Sequence, residues 1–210
     1  MKIQDQRISL VFGEIERRED VLASRIFRNS KSLVSSNLWP TLDVIVRHHK
    51  QLAEKEKLLS AIERKILSTV ESDGPIRTDV LRQHLRLEGK EHNYKFHRSL
   101  ANLENYSFIV GAEDPKPEKH LHANVWQTWE ERTGKIADSN DLSYTEAVEQ
   151  LLAKSIETCV LANELQIRKW FPWKHDTEAA KAELLRKRTI ARINSHLLKR
   201  ETVETLSRSK

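Results

Sequence analysis

Cysteine is nearly absent from this chain of 210 residues. A single residue, Cys159, excludes a disulfide framework and a cysteine-built zinc site. Glycine and proline number 5 each, well below the average of about 7% and 5%. Such scarcity of turn residues argues against a sandwich, a barrel or a glycine-rich nucleotide fold, and favours helices with short connections. No apolar run approaches the ~18 residues that a membrane span needs. The N-terminus lacks the charged start, apolar core and small-residue cleavage site of a secretory signal. The sequence therefore reads as a cytoplasmic protein without membrane association. Nucleophile elbow, phosphate loop and dinucleotide fingerprint are all missing.

What the chain has is charge, 32% of residues, and most of its positive excess sits at one end. From residue 163 to 210 there are 12 basic and 6 acidic side chains, whereas the remainder carries 24 and 25. A localised basic end suits a polyanion, because binding releases condensed counterions. The bland counterpart is a solvated helix face that maintains solubility.

Apolar spacing predicts the organisation. Residues 7–29 read as a helix, with Ile8, Val11, Ile15, Leu22 and Ile26 on one side. After a Ser-rich break, Pro40 can open the next helix at its first turn. Residues 41–72 then read as helix, with a kink near His48-His49. Asp73-Gly74-Pro75 is the clearest stop. Thr78 is expected to cap a short helix, and Asn93 another that runs to about Asn105 with Phe96, Leu100 and Leu103 on one stripe. Two short strands follow, near 107–111 and 124–129, around a loop. This order describes a winged helix-turn-helix.

A linker is expected at 131–142. Ser143 with Glu146 has capping-box spacing. A helix over 144–157, a short helix over 163–171, a third opened by Asp176 and a strand over 189–193 repeat the first order. The expectation is a mainly α chain with small β wings, made of tandem winged-helix units plus N-terminal helices. Its parts are an N-terminal helical segment (1–49), a first unit (50–130), a second, winged-helix-like unit with a vestigial wing (143–195) and a frayed basic tail (196–210).

The stretch Glu71-Ser-Asp-Gly-Pro-Ile-Arg-Thr-Asp-Val-Leu resembles the helix, Gly-Pro-Ile-Ser/Thr, short-helix signature of many winged-helix proteins. His97-Arg-Ser-Leu-Ala-Asn-Leu-Glu-Asn-Tyr-Ser-Phe-Ile-Val-Gly resembles the leucine-rich third helix and strand that complete it. Together with the second unit, the chain resembles the AlkZ/YcaQ-like group of winged-helix proteins, in particular its shorter relatives, over residues 39–195. The resemblance implies a scaffold tied to DNA. The full glycosylases of that group excise damaged bases with a Gln-x-Gln or Gln-x-Asp motif. Gln4-Asp5-Gln6 matches the letters but lies before the first helix, without the surrounding aromatic and basic pattern. No catalytic residue is carried over.

If the first unit binds double-stranded DNA, its third helix enters the major groove. Asn93, Tyr94, Lys95, His97, Arg98 and Asn102 are then the candidates to reach it. Arg98 suits guanine and Asn102 adenine, whereas Lys90 and Lys95 suit phosphate. Lys116 and Lys119 lie on the expected wing, beside acidic residues that dilute their charge. The second unit offers Lys181, Arg186, Lys187, Arg188 and Arg192. Several of these fall at a helix C-terminus, where cations also offset the helix dipole.

Trp170-Phe171-Pro172-Trp173 is expected to pack a short helix onto its own core. Trp126 and Trp129 should serve the sheet and a neighbouring unit. His120-x-His122, with His92 and His97, lacks the companions of a zinc site, and no metal or other cofactor is expected. Cys159, beside Val160 and Leu161, reads as an inert buried thiol. The favoured function is non-enzymatic DNA binding, as a regulator or repair accessory. A protein-interaction or homodimeric scaffold and a glycosylase-like enzyme are the alternatives.

Overall fold

The structure, a computed structural model, describes residues 11, 14–16, 18–114, 124–134 and 142–201. The chain is mainly helical with small antiparallel sheets. Leu22 and Ile26 are buried, but a helix does not carry them. Residues 14–16 are helical, then Val21–Ser24 (β1) pairs antiparallel with Ser32–Ser35 (β2). The intervening turn passes through Arg28 and Asn29 at φ 57° and 51°, and Arg28 N–H donates to the Trp170 carbonyl at 2.6 Å. A four-residue apolar spacing is therefore met by a strand and a turn, and the helix expected over 7–29 is corrected.

Trp39–Lys55 (α1) opens with Pro40 in its first turn and runs unbroken through His48-His49, where a kink was expected. It buries Leu42, Ile45, Val46 and His49 on one face. It then ends: Lys57 takes φ 52° and Leu58 N–H reaches back to the Ala53 carbonyl at 3.0 Å, closing the helix as a left-handed cap residue does. Ser60 and Glu63 form a reciprocal capping box that starts Ala61–Asp73 (α2). The single helix expected over 41–72 is thus two.

From α2 the chain continues through Ile76–Arg77 (β3), Thr78–His84 (α3), Asn93–Asn105 (α4), Ile109–Glu113 (β4), Asn124–Thr128 (β5) and Trp129–Thr133 (α5), with sheet order β3-β5-β4. Tyr144–Cys159 (α6), Ala162–Asn163 (β6), Glu164–Ile167 (α7), Lys174–Arg186 (α8), Ile190–Ile193 (β7) and His196–Lys199 (β8) repeat that order, with sheet order β6-β8-β7. β8 falls where the sequence suggested tail. It completes a three-stranded sheet, so the second hairpin is not vestigial.

Several caps differ from expectation. Thr78 is the first helical residue of α3. Its hydroxyl instead donates to the Asn124 carbonyl and accepts from Trp126 Nε1, both at 2.9 Å. His92 precedes α4 without a side-chain cap, and α8 begins at Lys174, before Asp176. The Ser143–Glu146 box is present as expected.

One apolar core runs through both units, from Leu22 and Ile45 through Phe96 and Trp129 to Leu152 and Leu197. Trp170, Phe171 and Trp173 are buried in it, with Phe171 and Trp173 stacked at 5.4 Å. Trp126 lies against the first sheet, and Trp129 reaches Asp43 of α1 through Nε1 at 3.0 Å. Cys159, expected to be buried, ends α6 exposed, as are Val160 and Leu161 beside it. An apolar neighbourhood in sequence did not mean burial, because the helix stops there and the chain turns out into solvent.

Helix α6 and the aromatic turn before α8 pack on α1. Tyr144 donates its hydroxyl to Asp176 Oδ2 at 2.7 Å, which leaves its oxygen to accept from His49 Nε2 at 3.1 Å. His48 stacks on Tyr144 at 3.8 Å and His49 on Trp173 at 4.9 Å. Burial, reinforced by the charge of His48 and opposed by Asp176, pushes His49 down to about 4. Burial and the Asp176 hydrogen bond push the Tyr144 phenol above its ordinary value. At neutral pH this junction is an uncharged imidazole and phenol facing one carboxylate.

Candidate nucleic-acid interface

Helix α4 buries Phe96, Leu100 and Leu103 at intervals of four and three residues, turned toward α2 and β4. The 3.6-residue period therefore turns Tyr94, Lys95, His97, Arg98 and Asn102 outward, with Asn93 at the first position. All six are exposed, and Tyr94 keeps 73% of its accessible surface. Lys90, in the short 3₁₀ turn before α4, is exposed as well. Among the described residues Lys90, Lys95 and Arg98 make no ion pair.

The turn that presents this face is pinned by a residue the sequence reading passed over. Arg82 donates from Nη2 and Nε to the Leu87 carbonyl at 2.8 and 3.0 Å, and from Nη2 to the Glu88 carbonyl at 3.1 Å. The same guanidinium lies 5.5 Å from the centre of the Phe96 ring. One cation thus satisfies the carbonyls of a glycine-containing turn and fastens it to the core of α4. Only a cation at the C-terminal end of α3 hints at this in the sequence. Arg86, exposed at φ 55° in the same turn, extends the basic surface.

Asn102 is less available than its exposure suggests. Its Nδ2 donates to Glu63 Oε1 at 2.8 Å. Burial works to raise the Glu63 carboxyl, but the hydrogen bonds from Asn102 and Ser60, with the charge of Arg98, outweigh it and hold the group below its ordinary value. The asparagine therefore supports a buried carboxylate at the start of α2.

The basic residues of the second unit are differently placed. Lys181 pairs with Glu178 at 2.6 Å and lies 3.7 Å from Glu164. Arg186 grips Glu183, whose carboxyl is held down to about 2 by that hydrogen bond. Lys187 pairs with Glu149 at 2.7 Å, and Arg192 with Glu164. Arg188 is exposed at φ 57° without an ion pair among the described residues. Lys199 sits between Glu157 and Glu201. Lys181, Arg186, Lys187, Arg192 and Lys199 are thus answered by carboxylates, most of them from the same end of the chain and two, Glu149 and Glu157, from α6.

Lys116 and Lys119 lie outside the described residues, as do His120, His122, Gln4 and Gln6. Among the described residues no group of three or more His, Cys, Asp or Glu side chains is placed to hold a metal ion, and no helix is long and apolar enough to cross a membrane. His92 lies beside Glu91, and His97 stands on the open face of α4.

No curated protein and no solved structure matches the chain. The family described as AlkZ related matches residues 13–172, which takes in the first unit whole and the second as far as the buried aromatic cluster. With that extent of agreement, the chain belongs to the AlkZ-related family.

Proposed function

We propose that this chain binds duplex DNA through the exposed face of α4, without carrying out chemistry on it. In this reading each repeated unit is a winged helix-turn-helix. Helix α4 is the reading helix, and the β4–β5 hairpin with its connecting segment is the wing. Lys90 and Lys95 contact phosphate, because a flexible ammonium supplies charge without a fixed geometry. Arg98 is the base-reading candidate, Asn93, Tyr94 and His97 flank it, and Lys116 and Lys119 extend the contact from the wing.

One observation carries the reading. Lys90, Lys95 and Arg98 on the face of α4 make no ion pair among the described residues, although the Arg98 charge acts on Glu63, whereas Lys181, Arg186, Lys187 and Arg192 are each held in ion pairs. Membership of a family associated with DNA supports it. The second unit then contributes Arg188 at most, and its main task is to brace the first through α1.

The test is fluorescence anisotropy with a labelled duplex over a range of salt. Affinity should fall steeply with salt, and replacing Lys90 and Lys95 together by alanine should reduce the slope by about two. Replacing Arg186 and Arg192 should leave the slope unchanged. Absence of binding at low salt, or equal losses from both pairs, overturns the proposal.

A second reading is favoured by a different surface. Val160, Leu161, Leu165 and Ile193 of the second unit are exposed, Leu165 at 77%. Exposed apolar side chains amid neutralised charge suit a protein partner or a second copy. Sedimentation that stays monomeric at all concentrations, with DNA binding intact, removes self-association.

A further inference from the structure

A cleft of about 280 Å³ opens on the side of the molecule built by the β1–β2 hairpin, α1 and α6. Its walls are Ile26, Val34, Leu42, Leu151 and Phe171, all buried, with Phe27 partly buried beside them. None of these residues belongs to the face of α4.

The polar groups around the cleft are already answered. The Ser155 hydroxyl donates to the Leu151 carbonyl and the Thr158 hydroxyl to the Lys154 carbonyl, both at 2.8 Å. Each therefore turns its hydrogen-bonding capacity back onto its own helix. The Ser32 hydroxyl donates to the Ser30 carbonyl at 3.2 Å, and Lys154 pairs with Glu157 at 3.3 Å. A ligand rich in acceptors would lose its hydration here and find these hydroxyl protons already committed, and an anion would meet a lysine already paired. An uncharged, apolar ligand gains from burial alone. The volume lies just below the range of about 300–1,000 Å³ usual for small-molecule sites, which suits two or three fused or linked rings. It is too small for a helix of another protein.

We propose that this cleft is a binding site for a small, uncharged, aromatic or hydrocarbon molecule. The chain carries its own reporter, since Cys159, the only cysteine, lies at the edge of the cleft and is exposed.

The probe for the test is N-phenylnaphthylamine, neutral and bright only in apolar surroundings, titrated into the full chain. One equivalent should bind. Ser155→Trp, which fills the cleft from the α6 side, should weaken binding by about tenfold or more. Leu165→Ser, on the exposed apolar surface of the second unit, should leave it unchanged. Saturating probe should also slow modification of Cys159 by an aromatic disulfide. The proposal is overturned if the probe does not brighten, if Leu165→Ser abolishes the signal, or if a cooperatively melting Ser155→Trp binds like the parent. Should Ser155→Trp fail to fold, the Cys159 rate in the parent decides: no protection overturns the site.

Discussion

Lys187 Nζ lies 2.7 Å from Glu149 Oε2 and ties the end of α8 to the middle of α6. The Glu149 carboxylate is buried, so it needs a counterion where it stands. The lysine, itself exposed, is that counterion, and its charge is answered within the chain. Lys187→Met should therefore lower the melting temperature yet leave duplex affinity within about twofold, since no phosphate contact is lost. A thermal melt and an anisotropy titration on the same sample check both halves. A loss of affinity matching that of Lys95→Ala would return the second unit to the interface.

Arg98 and Asn102 stand one helical turn apart on α4, and their replacements should separate. Arg98→Ala should leave stability nearly unchanged and cost about 1–3 kcal/mol of discrimination at one base pair. Asn102→Ala should leave base preference unchanged and cost about 1 kcal/mol of stability, because it withdraws a donor from the buried Glu63. Denaturant unfolding and competition among duplex variants measure the two effects separately.

The contrast between these residues marks how far the sequence could be read. Periodicity identified the buried face of α4 from Phe96, Leu100 and Leu103, and hence the residues opposite. It could not reveal that Asn102 faces Glu63, 39 residues earlier, or that Glu149 answers Lys187. Charge counting sums along the chain, whereas ion pairs form across it. The N-terminal hairpin was missed for a related reason. Leu22 and Ile26 are buried as their spacing demanded, but a spacing of four does not distinguish a helix from a strand followed by a turn. The stop after α1 was legible in principle, in the Ser60–Glu63 capping box. The continuous apolar pattern from Leu42 to Leu67 concealed it.

Two buried groups should give stability opposite dependences on pH. Burial pushes the Glu104 carboxyl up to about 7, against Arg25 and Lys31, with Glu16 adding to the rise. Between about 4.5 and 7 the folded chain thus keeps a proton that the unfolded chain has released, and stability falls as pH rises. His49 at about 4 does the reverse. Between 6.5 and 4 the unfolded chain takes up a proton that the folded chain refuses, and stability falls as pH drops. Each full swing is about 3 kcal/mol, and the two oppose each other where the windows overlap. Relative to the parent, Glu104→Gln should steepen the gain of stability from pH 4.5 to 6.5. His49→Gln, which keeps a donor for Tyr144, should reverse that change. Urea unfolding at a series of pH values measures both differences, and parallel curves for parent and variants would contradict the assignment.

Gly111, in β4, the strand that follows α4, has no room for a side chain. A Cβ there would stand 2.7 Å from Cζ3 of Trp126 and 2.9 Å from Cη2. The indole cannot yield cheaply. It is buried, and its Nε1 is held at 2.9 Å by the Thr78 hydroxyl, which itself closes the contact between α3 and β5. Gly111→Ala should therefore cost about 1–3 kcal/mol by overpacking. The second variant settles the cause: in Gly111→Ala with Trp126→Leu, the smaller side chain removes the clash. The added cost of the alanine, measured against Trp126→Leu alone, should then fall close to zero in denaturant unfolding. An undiminished cost would place the penalty in the strand backbone and not in the indole.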